Sequence, residues 1–113
     1  MTDIADVIQM PTAAELPLPA LQVLRKLGRD LALARRRRGI STADMAARLF
    51  VSRDTLWRLE RGDPSVAIGT LASAAFILQL HERMGLWAEP STDSLGQSLD
   101  EARLPKRIRR AGP

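Results

Sequence analysis

The sequence predicts an all-α protein of about five helices with flexible N- and C-terminal tails. Leucines recur at three- and four-residue intervals from Leu21 to Leu31, which gives one apolar stripe, as in a helix packed on one side. Two further blocks, Gly39–Gly62 and Ile68–Leu80, carry apolar residues at the same helical spacing. A chain of 113 residues has the size of one small domain with tails. We assign residues 1–19 to a flexible arm, 20–89 to the domain and 90–113 to a C-terminal tail.

The block Gly39–Gly62 is the stretch around which the chain is organised. Ser41 can cap a first short helix, and Asp44 follows at the three-residue spacing of a reciprocal capping box. Ser52 can cap a second helix, whose leucines face inward and whose polar, basic side faces out. Gly62 supplies a left-handed end to that helix. Two helices joined by a tight turn in this way form a helix-turn-helix, the motif that enters a DNA major groove.

The same block resembles the helix-turn-helix of the Cro and lambda-repressor (XRE) type of DNA-binding domain. The resemblance extends over roughly Leu21 to Leu80 and implies a lambda-repressor-like fold. Its most telling parts are Ala46, Val51-Ser52, Leu56 and the closing Leu59-Glu60-Arg61-Gly62. Thr42 stands where the family often has Gln, which puts a supporting or phosphate contact in doubt. Phe50 stands where the turn often has Gly, and a left-handed Phe50 carries strain of about 1 kcal/mol or more.

Positive charge is concentrated on the helix-turn-helix. Residues 20–62 carry eleven basic and four acidic side chains, whereas residues 1–19 carry three acids and no base. Four consecutive arginines, Arg35–Arg38, follow the first predicted helix. Favourable charge at a helix C-terminus explains one or two of them, and we expect the others to contact the DNA backbone. This distribution is the electrostatic footprint of a nucleic-acid-binding protein.

The outer side of the second short helix supplies the candidate base-reading residues. Arg53 and Arg58 can each fork onto a guanine edge, the commonest specific major-groove contact. Asp54 can accept a hydrogen bond from cytosine or add favourable charge at the helix N-terminus. Trp57 can pack on a thymine methyl or fold back over the domain, and Glu60 is expected to pair with an arginine. The predicted DNA-binding residues are Arg38, Thr42, Ser52, Arg53, Asp54, Thr55, Trp57 and Arg58.

The block from Ile68 to Leu80 is predicted to be a helix that is apolar on nearly every side. Such a helix is buried on every side, usually with the core on one face and a partner on the other. The following HERMGLWAEP is predicted to continue as a helix, with Leu80, Met84 and Trp87 on one face. These residues can complete a small core, but we favour a homodimer, because two recognition helices about 34 Å apart read a palindromic operator. The predicted dimer or partner interface is Phe76, Leu80, Met84 and Trp87.

The tail is predicted to hold a short helix that begins after Thr92 or Asp93 and breaks at Pro105. One face of this helix is formed by Leu95, Leu99 and Ala102. The basic LPKRIRR segment that follows has three interpretations, of which the first two are a solvated tail and nonspecific phosphate affinity.

The third interpretation of the tail rests on a resemblance. A short helix-turn-helix protein that ends in L-P-K-R-I-R resembles the HipB-like antitoxins, which accompany HipA-like toxin kinases. The resemblance implies a dimer that binds both its own operator and the toxin. The partner-binding tail residues are then Leu104, Lys106, Arg107 and Arg109.

Other classes of function find little support in the sequence. Without cysteine, the chain has neither disulfides nor thiolate metal ligands. His81 is the only histidine, and we expect it at the solvated surface. There is no G-x-S-x-G, Gly-rich phosphate loop or H-E-x-x-H motif, no apolar run long enough to span a membrane, and no export signal. We therefore expect no enzymatic activity, no cofactor, no metal, no membrane partner and a cytoplasmic, nucleoid-associated location.

Together these features predict a repressor that binds a palindromic operator in double-stranded DNA and regulates its own operon. One alternative is a free-standing or phage-type repressor without a toxin partner. Another is a protein-interaction module on a helix-turn-helix scaffold. Steep salt dependence of binding distinguishes a DNA-binding protein from such a module.

Overall fold

The computed structural model describes residues 16–111, with side chains for residues 16–103. These residues form six α-helices and one 3-10 helix, and no β-strand occurs among them, which confirms the all-α prediction. The elements are α1 (Leu18–Arg37), α2 (Thr42–Leu49), α3 (Arg53–Glu60), α4 (Ile68–Ile77), α5 (His81–Met84), the 3-10 helix (Pro90–Thr92) and α6 (Ser94–Ala111). The chain divides after His81 into two compact units.

Helix α1 begins slightly earlier than predicted. Pro17 occupies the N-cap, and Pro19 lies in the first turn, where its missing N–H costs no helical hydrogen bond. Leu18 and Pro19 therefore belong to the helix and not to the predicted arm, whose residues 1–15 lie outside the described residues. The predicted leucine stripe is confirmed, because Leu21 and Leu31 are buried and the leucines between them are half-buried.

The core of the first unit lies where α1, α2, α3 and α4 meet. Its largest fully buried side chains are Met45 of α2, Leu56 of α3 and Leu78 at the end of α4. The remaining members of the cluster are Leu31, Ile40, Ala46, Leu49, Leu59 and Ala74. The apolar sides of α2 and α3 are thus anchored as predicted, which leaves the opposite side of α3 to solvent.

Both predicted caps of the helix-turn-helix are present. The Oγ atom of Ser41 accepts a hydrogen bond from the Asp44 N–H at 3.1 Å, and Ser52 Oγ accepts one from the Thr55 N–H at 3.1 Å. The reciprocal half of the capping box is wrong, since the Asp44 carboxylate instead pairs with Arg48 Nη2 at 2.9 Å. Aspartate is shorter than the glutamate of a capping box, and an arginine four residues later offers it a favourable partner.

The turn between α2 and α3 holds a left-handed, solvent-exposed phenylalanine. Phe50 ends α2 with φ 55° and ψ 39°, and 95% of its surface is exposed. The predicted strain condition is therefore met, and no burial of the ring offsets it. Gly62, at φ 79°, supplies the left-handed end of α3 as predicted.

Replacing Phe50 with glycine is expected to stabilise the protein by about 0.5–1 kcal/mol. Glycine removes left-handed strain of about 1–2 kcal/mol, and the greater freedom of an unfolded glycine offsets about 0.4–1 kcal/mol of that gain. Urea unfolding followed by circular dichroism measures the difference. Phe50→Ala is the control, because alanine keeps the strain and should leave the midpoint nearly unchanged. Equal midpoints for the glycine and alanine variants would show that the strain is not relieved.

Helix α4 is buried on one side within the chain, and the burial of its other side against a partner stays a prediction. Ala74 and Ala75 are buried, but Ile68 and Phe76 keep 76% and 65% of their surface exposed. With the exposed Ala72 between them, these two residues form an apolar stripe at four-residue spacing along the outer side. The composition of α4 is apolar all round, but the three other helices of the core cover only one side of it.

The stretch after α4 is less helical than predicted. Gln79, at φ 60°, follows the end of α4, and α5 is a single turn that ends at Met84, before Gly85. Glycine is a poor helix former, and residues 85–88 form turns. Met84 and Trp87 therefore do not share one helical face.

In the second unit, α6 begins as predicted but continues further. Asp93 caps it, with Oδ1 accepting the Gly96 N–H at 3.0 Å, and Gln97 Nε2 donates to two carbonyls of the 3-10 helix. The predicted break at Pro105 is wrong, because the helix runs to Ala111. A proline removes one helical hydrogen bond, and the residues beside it are good helix formers. The outer leucines of this helix, Leu95 and Leu99, are 70% and 51% exposed.

Candidate nucleic-acid interface

Helix α3 presents a polar side opposite its buried leucines. Leu56 and Leu59 are 1% and 7% exposed. At about 100° per residue, Asp54 and Arg61 lie directly opposite them, at the centre of the free side. Trp57 and Arg58 flank them, about 50° from that centre, and Arg53 lies at the edge of the free side, about 90° from it. Two leucines thus fix the rotation of α3, and that rotation decides which side chains meet solvent.

An open groove of about 460 Å³ runs between the start of α2 and the outer side of α3. Thr42, the first residue of α2, is exposed on one side of it, and Arg53 and Trp57 line the other. Ser52 and Thr55, at the start of α3, are joined by a hydroxyl hydrogen bond of 3.1 Å. Of the predicted residues, the groove brings together Thr42, Arg53, Asp54 and Trp57, whereas Ser52 and Thr55 do not line it.

Arg53 is the least constrained of the predicted base-reading residues. It is exposed at the first position of α3, and no carboxylate lies within ion-pair distance of it among the described residues. Its guanidinium group therefore keeps all its donors available for a ligand.

Arg58 flanks the free side of α3, but its guanidinium group is held by neighbouring side chains and is less exposed than predicted. Its Nη1 atom donates to Ser65 Oγ at 3.2 Å, and its Nε atom, 3.4 Å from Asp54 Oδ2, is buried. Asp63 Oδ2 lies 3.9 Å from Nη1, and the arginine side chain is only 36% exposed. Carboxylates on both sides hold the guanidinium against its own domain, so Arg58 is less available to DNA than Arg53.

Asp63 is itself held in the charged form that attracts Arg58. The hydroxyl and backbone N–H of Ser65 donate to Asp63 Oδ1 at 2.7 and 2.8 Å. These hydrogen bonds, with a smaller contribution from the charge of Arg58, lower the pKa of the Asp63 carboxyl below its usual value. Arg58, Asp63 and Ser65 thus form one connected polar cluster beyond the end of α3.

The arginine run after α1 divides into members with different roles. Arg35 is buried and donates from Nε and Nη2 to the two carboxylate oxygens of Glu60, at 2.8 and 3.1 Å. The predicted arginine partner of Glu60 is therefore confirmed. Arg38 Nη1 donates to the carbonyl of Ala34 at 2.9 Å, which satisfies a helix end. Arg36 and Arg37 are exposed and free to meet phosphates.

Trp57 is exposed, and a neighbouring arginine lies over its ring. Its surface is 56% exposed, and its two predicted roles, packing on a thymine methyl and lying over the domain, stay predictions. The guanidinium carbon of Arg61 lies 4.5 Å from the centre of its ring, within the range of a cation–π contact. Arg61 is absent from the predicted site residues. The four-residue spacing from Trp57, which places both on one helical side, is the sequence signal that identifies it.

The predicted interface residues lie in both compact units. In the first, Phe76 is exposed, with the His81 ring edge-on at 5.2 Å, whereas Leu80 is half-buried against the core. In the second, Met84 is half-buried and Trp87 is 63% exposed. The side chains of the predicted tail residues lie beyond residue 103, outside the part for which side chains are described. The predicted tail residues are Leu104, Lys106, Arg107 and Arg109.

The part of the chain that the structure describes holds neither a metal-binding cluster nor a membrane-spanning helix. No three His, Asp or Glu side chains there are grouped so that they could hold a metal ion. His81 is exposed, as predicted. No helix of residues 16–111 is both long and apolar enough to cross a bilayer.

Comparison with known proteins identifies the family of this chain. The family model described as a helix-turn-helix domain matches residues 26–84, more than half of the 113-residue chain. Neither a curated protein nor a solved structure matches significantly. The match begins within α1 and contains α2, α3, α4 and α5, so it includes the groove and the outer side of α3.

Proposed function

Because the chain belongs to the helix-turn-helix domain family, whose members bind DNA, we propose that it is a sequence-specific repressor acting as a homodimer on a palindromic operator. The outer side of α3 carries this proposal, because leucines anchor the helix on its buried side, while Arg53 stays exposed and no carboxylate of the described residues lies within ion-pair distance of it. Occupancy of the operator excludes RNA polymerase, and binding alone accounts for this function without catalysis. Such a repressor acts in the cytoplasm, on the nucleoid.

We assign different roles to the polar side chains at the start of α2 and α3. Arg53, at the start of α3, forks onto a guanine edge in the major groove. Thr42, Ser52 and Thr55 contact phosphates, because short hydroxyl side chains beside helix N-termini fix register without reading sequence. Arg58 supports α3 through Asp54 and Asp63 and reaches a base only if those contacts loosen.

The proposal is tested by selecting duplexes from a randomised pool and measuring affinity against salt. A repressor that touches several phosphates selects a palindrome, and the logarithm of its affinity falls by roughly 0.9 per contact for each tenfold rise in salt. A protein-interaction module on the same scaffold enriches no sequence and shows no such slope. That result would overturn the proposal.

Arg53→Ala is expected to relax specificity at one base pair of each half-site. Loss of a bidentate contact removes roughly 1–3 kcal/mol of discrimination there. Binding to operator duplexes carrying each of the four base pairs at that position measures it. Arg36→Ala is the matched control, because loss of a phosphate contact weakens all duplexes alike. Unchanged discrimination in Arg53→Ala would remove this residue from base reading.

For the dimer, we propose the outer side of α4 as the contact surface in the first unit. Ile68, Ala72 and Phe76 form an exposed apolar stripe there, and a second copy can cover it symmetrically. Sedimentation of the purified protein shows whether a dimer forms without DNA. A monomer at all concentrations that binds single half-sites would contradict the dimer.

The antitoxin role rests on the tail. The resemblance of L-P-K-R-I-R to HipB-like antitoxins leads us to propose that Leu104, Lys106, Arg107 and Arg109 bind a HipA-like toxin kinase. Co-expression with a kinase-like protein encoded next to this chain tests the role, with a chain truncated after Arg103 as control. A monodisperse regulator with no such partner is the free-standing or phage-type repressor instead.

A further inference from the structure

We propose that Arg61, held over the ring of Trp57, is a DNA phosphate contact of this domain and that Trp57 positions it. The inference rests on the proposed DNA binding and extends it to a residue beyond the helix. It also gives Trp57 a role other than packing on a base.

The charges around α3 single out Arg61. Of the four arginines between Arg48 and Arg61, two are neutralised by carboxylates: Arg48 by Asp44, and Arg58 by Asp54 and Asp63. Among the described residues no carboxylate lies within ion-pair distance of Arg53 or Arg61. Unpaired positive charge on this helix is thus confined to its first residue and to the residue that ends it.

The placement of Arg61 points the same way. It is the C-cap of α3, and its backbone N–H bonds to the carbonyls of Trp57 and Arg58. This anchors its Cα atom almost opposite Leu56 and Leu59, on the side that must approach DNA if α3 enters a groove. Arg53 and Arg61 are eight residues apart, about 12 Å along the helix axis. Between them, the two charges cover the length of α3.

Trp57 limits where the guanidinium of Arg61 can be. The planar group lies over the exposed indole with its carbon 4.5 Å from the ring centre. A stacked guanidinium keeps its N–H donors at the edge of the plane, free for phosphate oxygens, while the ring restricts the long side chain before binding. An arginine ordered in advance loses less side-chain entropy when it meets DNA.

The test compares wild-type protein, Arg61→Ala, Trp57→Leu and the double variant, on the selected operator and on an unrelated duplex. In the proposed homodimer Arg61→Ala removes one phosphate contact from each protomer. It should therefore weaken binding to both duplexes by about tenfold per protomer at 0.1 M salt, and it should reduce the salt slope by about one per protomer, or about two for the dimer. Trp57→Leu should weaken both by roughly two- to fivefold per protomer, the range of an exposed cation–π contact. In the Arg61→Ala background, Trp57→Leu should have no further effect.

Each other outcome has a definite meaning. If the wild-type protein binds operator but Arg61→Ala keeps its affinity and salt slope, the Arg61 contact is wrong and the proposed function stands. If Trp57→Leu still weakens binding in the double variant, and only on the operator, Trp57 reads a base directly and its positioning role is wrong. If the wild-type protein binds no DNA, the proposed function itself fails.

Arg61→Lys provides a second measurement. Lysine keeps the charge but loses the planar stack, so the salt slope should be retained while the effect of Trp57→Leu largely disappears. Both side chains are exposed, so unfolding midpoints should change little, and a large drop would mean that the pair stabilises the fold instead. If Trp57→Leu weakened DNA binding equally with lysine and with arginine at position 61, the stacking argument would be wrong.

Discussion

Replacing Arg35 with alanine is expected to lower the free energy of unfolding by about 3 kcal/mol. The side chains of Arg35 and Glu60 are only 8% and 14% exposed, and two hydrogen bonds join them. Removing one partner of a buried pair leaves the other charge uncompensated, at a cost of roughly 3–5 kcal/mol. Because Glu60 is partly exposed, we expect a cost at the lower end of this range. Arg35 also donates to the carbonyl of Ile40 at 2.9 Å, which loses its donor. Urea unfolding at neutral pH measures the change.

Arg36→Ala is the matched control for this prediction. The neighbouring arginine is exposed, and a surface substitution of this kind changes stability by roughly 0.5 kcal/mol or less. The double variant Arg35→Met with Glu60→Leu should recover much of the loss, because apolar residues of similar volume replace buried ion pairs at little cost. If Arg35→Ala were no less stable than Arg36→Ala, the pair would not hold α1 to α3.

The same pair links stability to the proposed DNA binding. Arg35 lies near the end of α1 and Glu60 at the end of α3, so the ion pair fixes the C-terminal end of α3. Arg61, the next residue, depends on that position. Arg35→Ala should therefore weaken DNA binding even at temperatures where the protein remains folded.

Local signals in the sequence predicted the helix-turn-helix because they act over a few residues. Ser41 and Ser52 cap their helices whatever else the chain does, since each hydroxyl needs only an N–H three residues later. Gly62 takes the left-handed conformation at the end of α3 for the same local reason. The leucines of α1 and α3 followed from helical spacing alone.

The predictions that were wrong depended on residues distant in sequence or on the stability of a whole helix. Arg58 was expected to face outward, but Asp63 and Ser65 approach it only once the loop after α3 has folded back. At Pro105 the sequence showed a lost hydrogen bond, but not whether the rest of the helix tolerates it.

Gly28→Ala is expected to destabilise the protein by about 1–3 kcal/mol, although alanine normally favours a helix interior by about 1 kcal/mol. A Cβ atom at Gly28 would lie 2.6 Å from the carbonyl oxygen of Glu60 and 2.9 Å from the backbone nitrogen of Gly62. These are backbone atoms and cannot rotate away, so α1 and the end of α3 must separate, and overpacking of this kind costs about 1–3 kcal/mol. Urea unfolding measures the change.

Gly69→Ala is the same substitution in a place without neighbours. A Cβ atom there meets nothing within 4 Å in the first turn of α4, so alanine should stabilise the protein by roughly 0.5–1 kcal/mol. If Gly28→Ala lowers and Gly69→Ala raises the free energy of unfolding, the reason for glycine at position 28 is the close approach of α1 and α3, and not helix propensity. Because the clash falls at Glu60 and Gly62, on either side of Arg61, Gly28→Ala should also reduce DNA affinity, whereas Gly69→Ala should leave it unchanged. If both substitutions stabilised the protein, α3 would be free to move away from α1. The packing of α3 against α1 would then not be the feature that presents Arg53 and Arg61 to DNA.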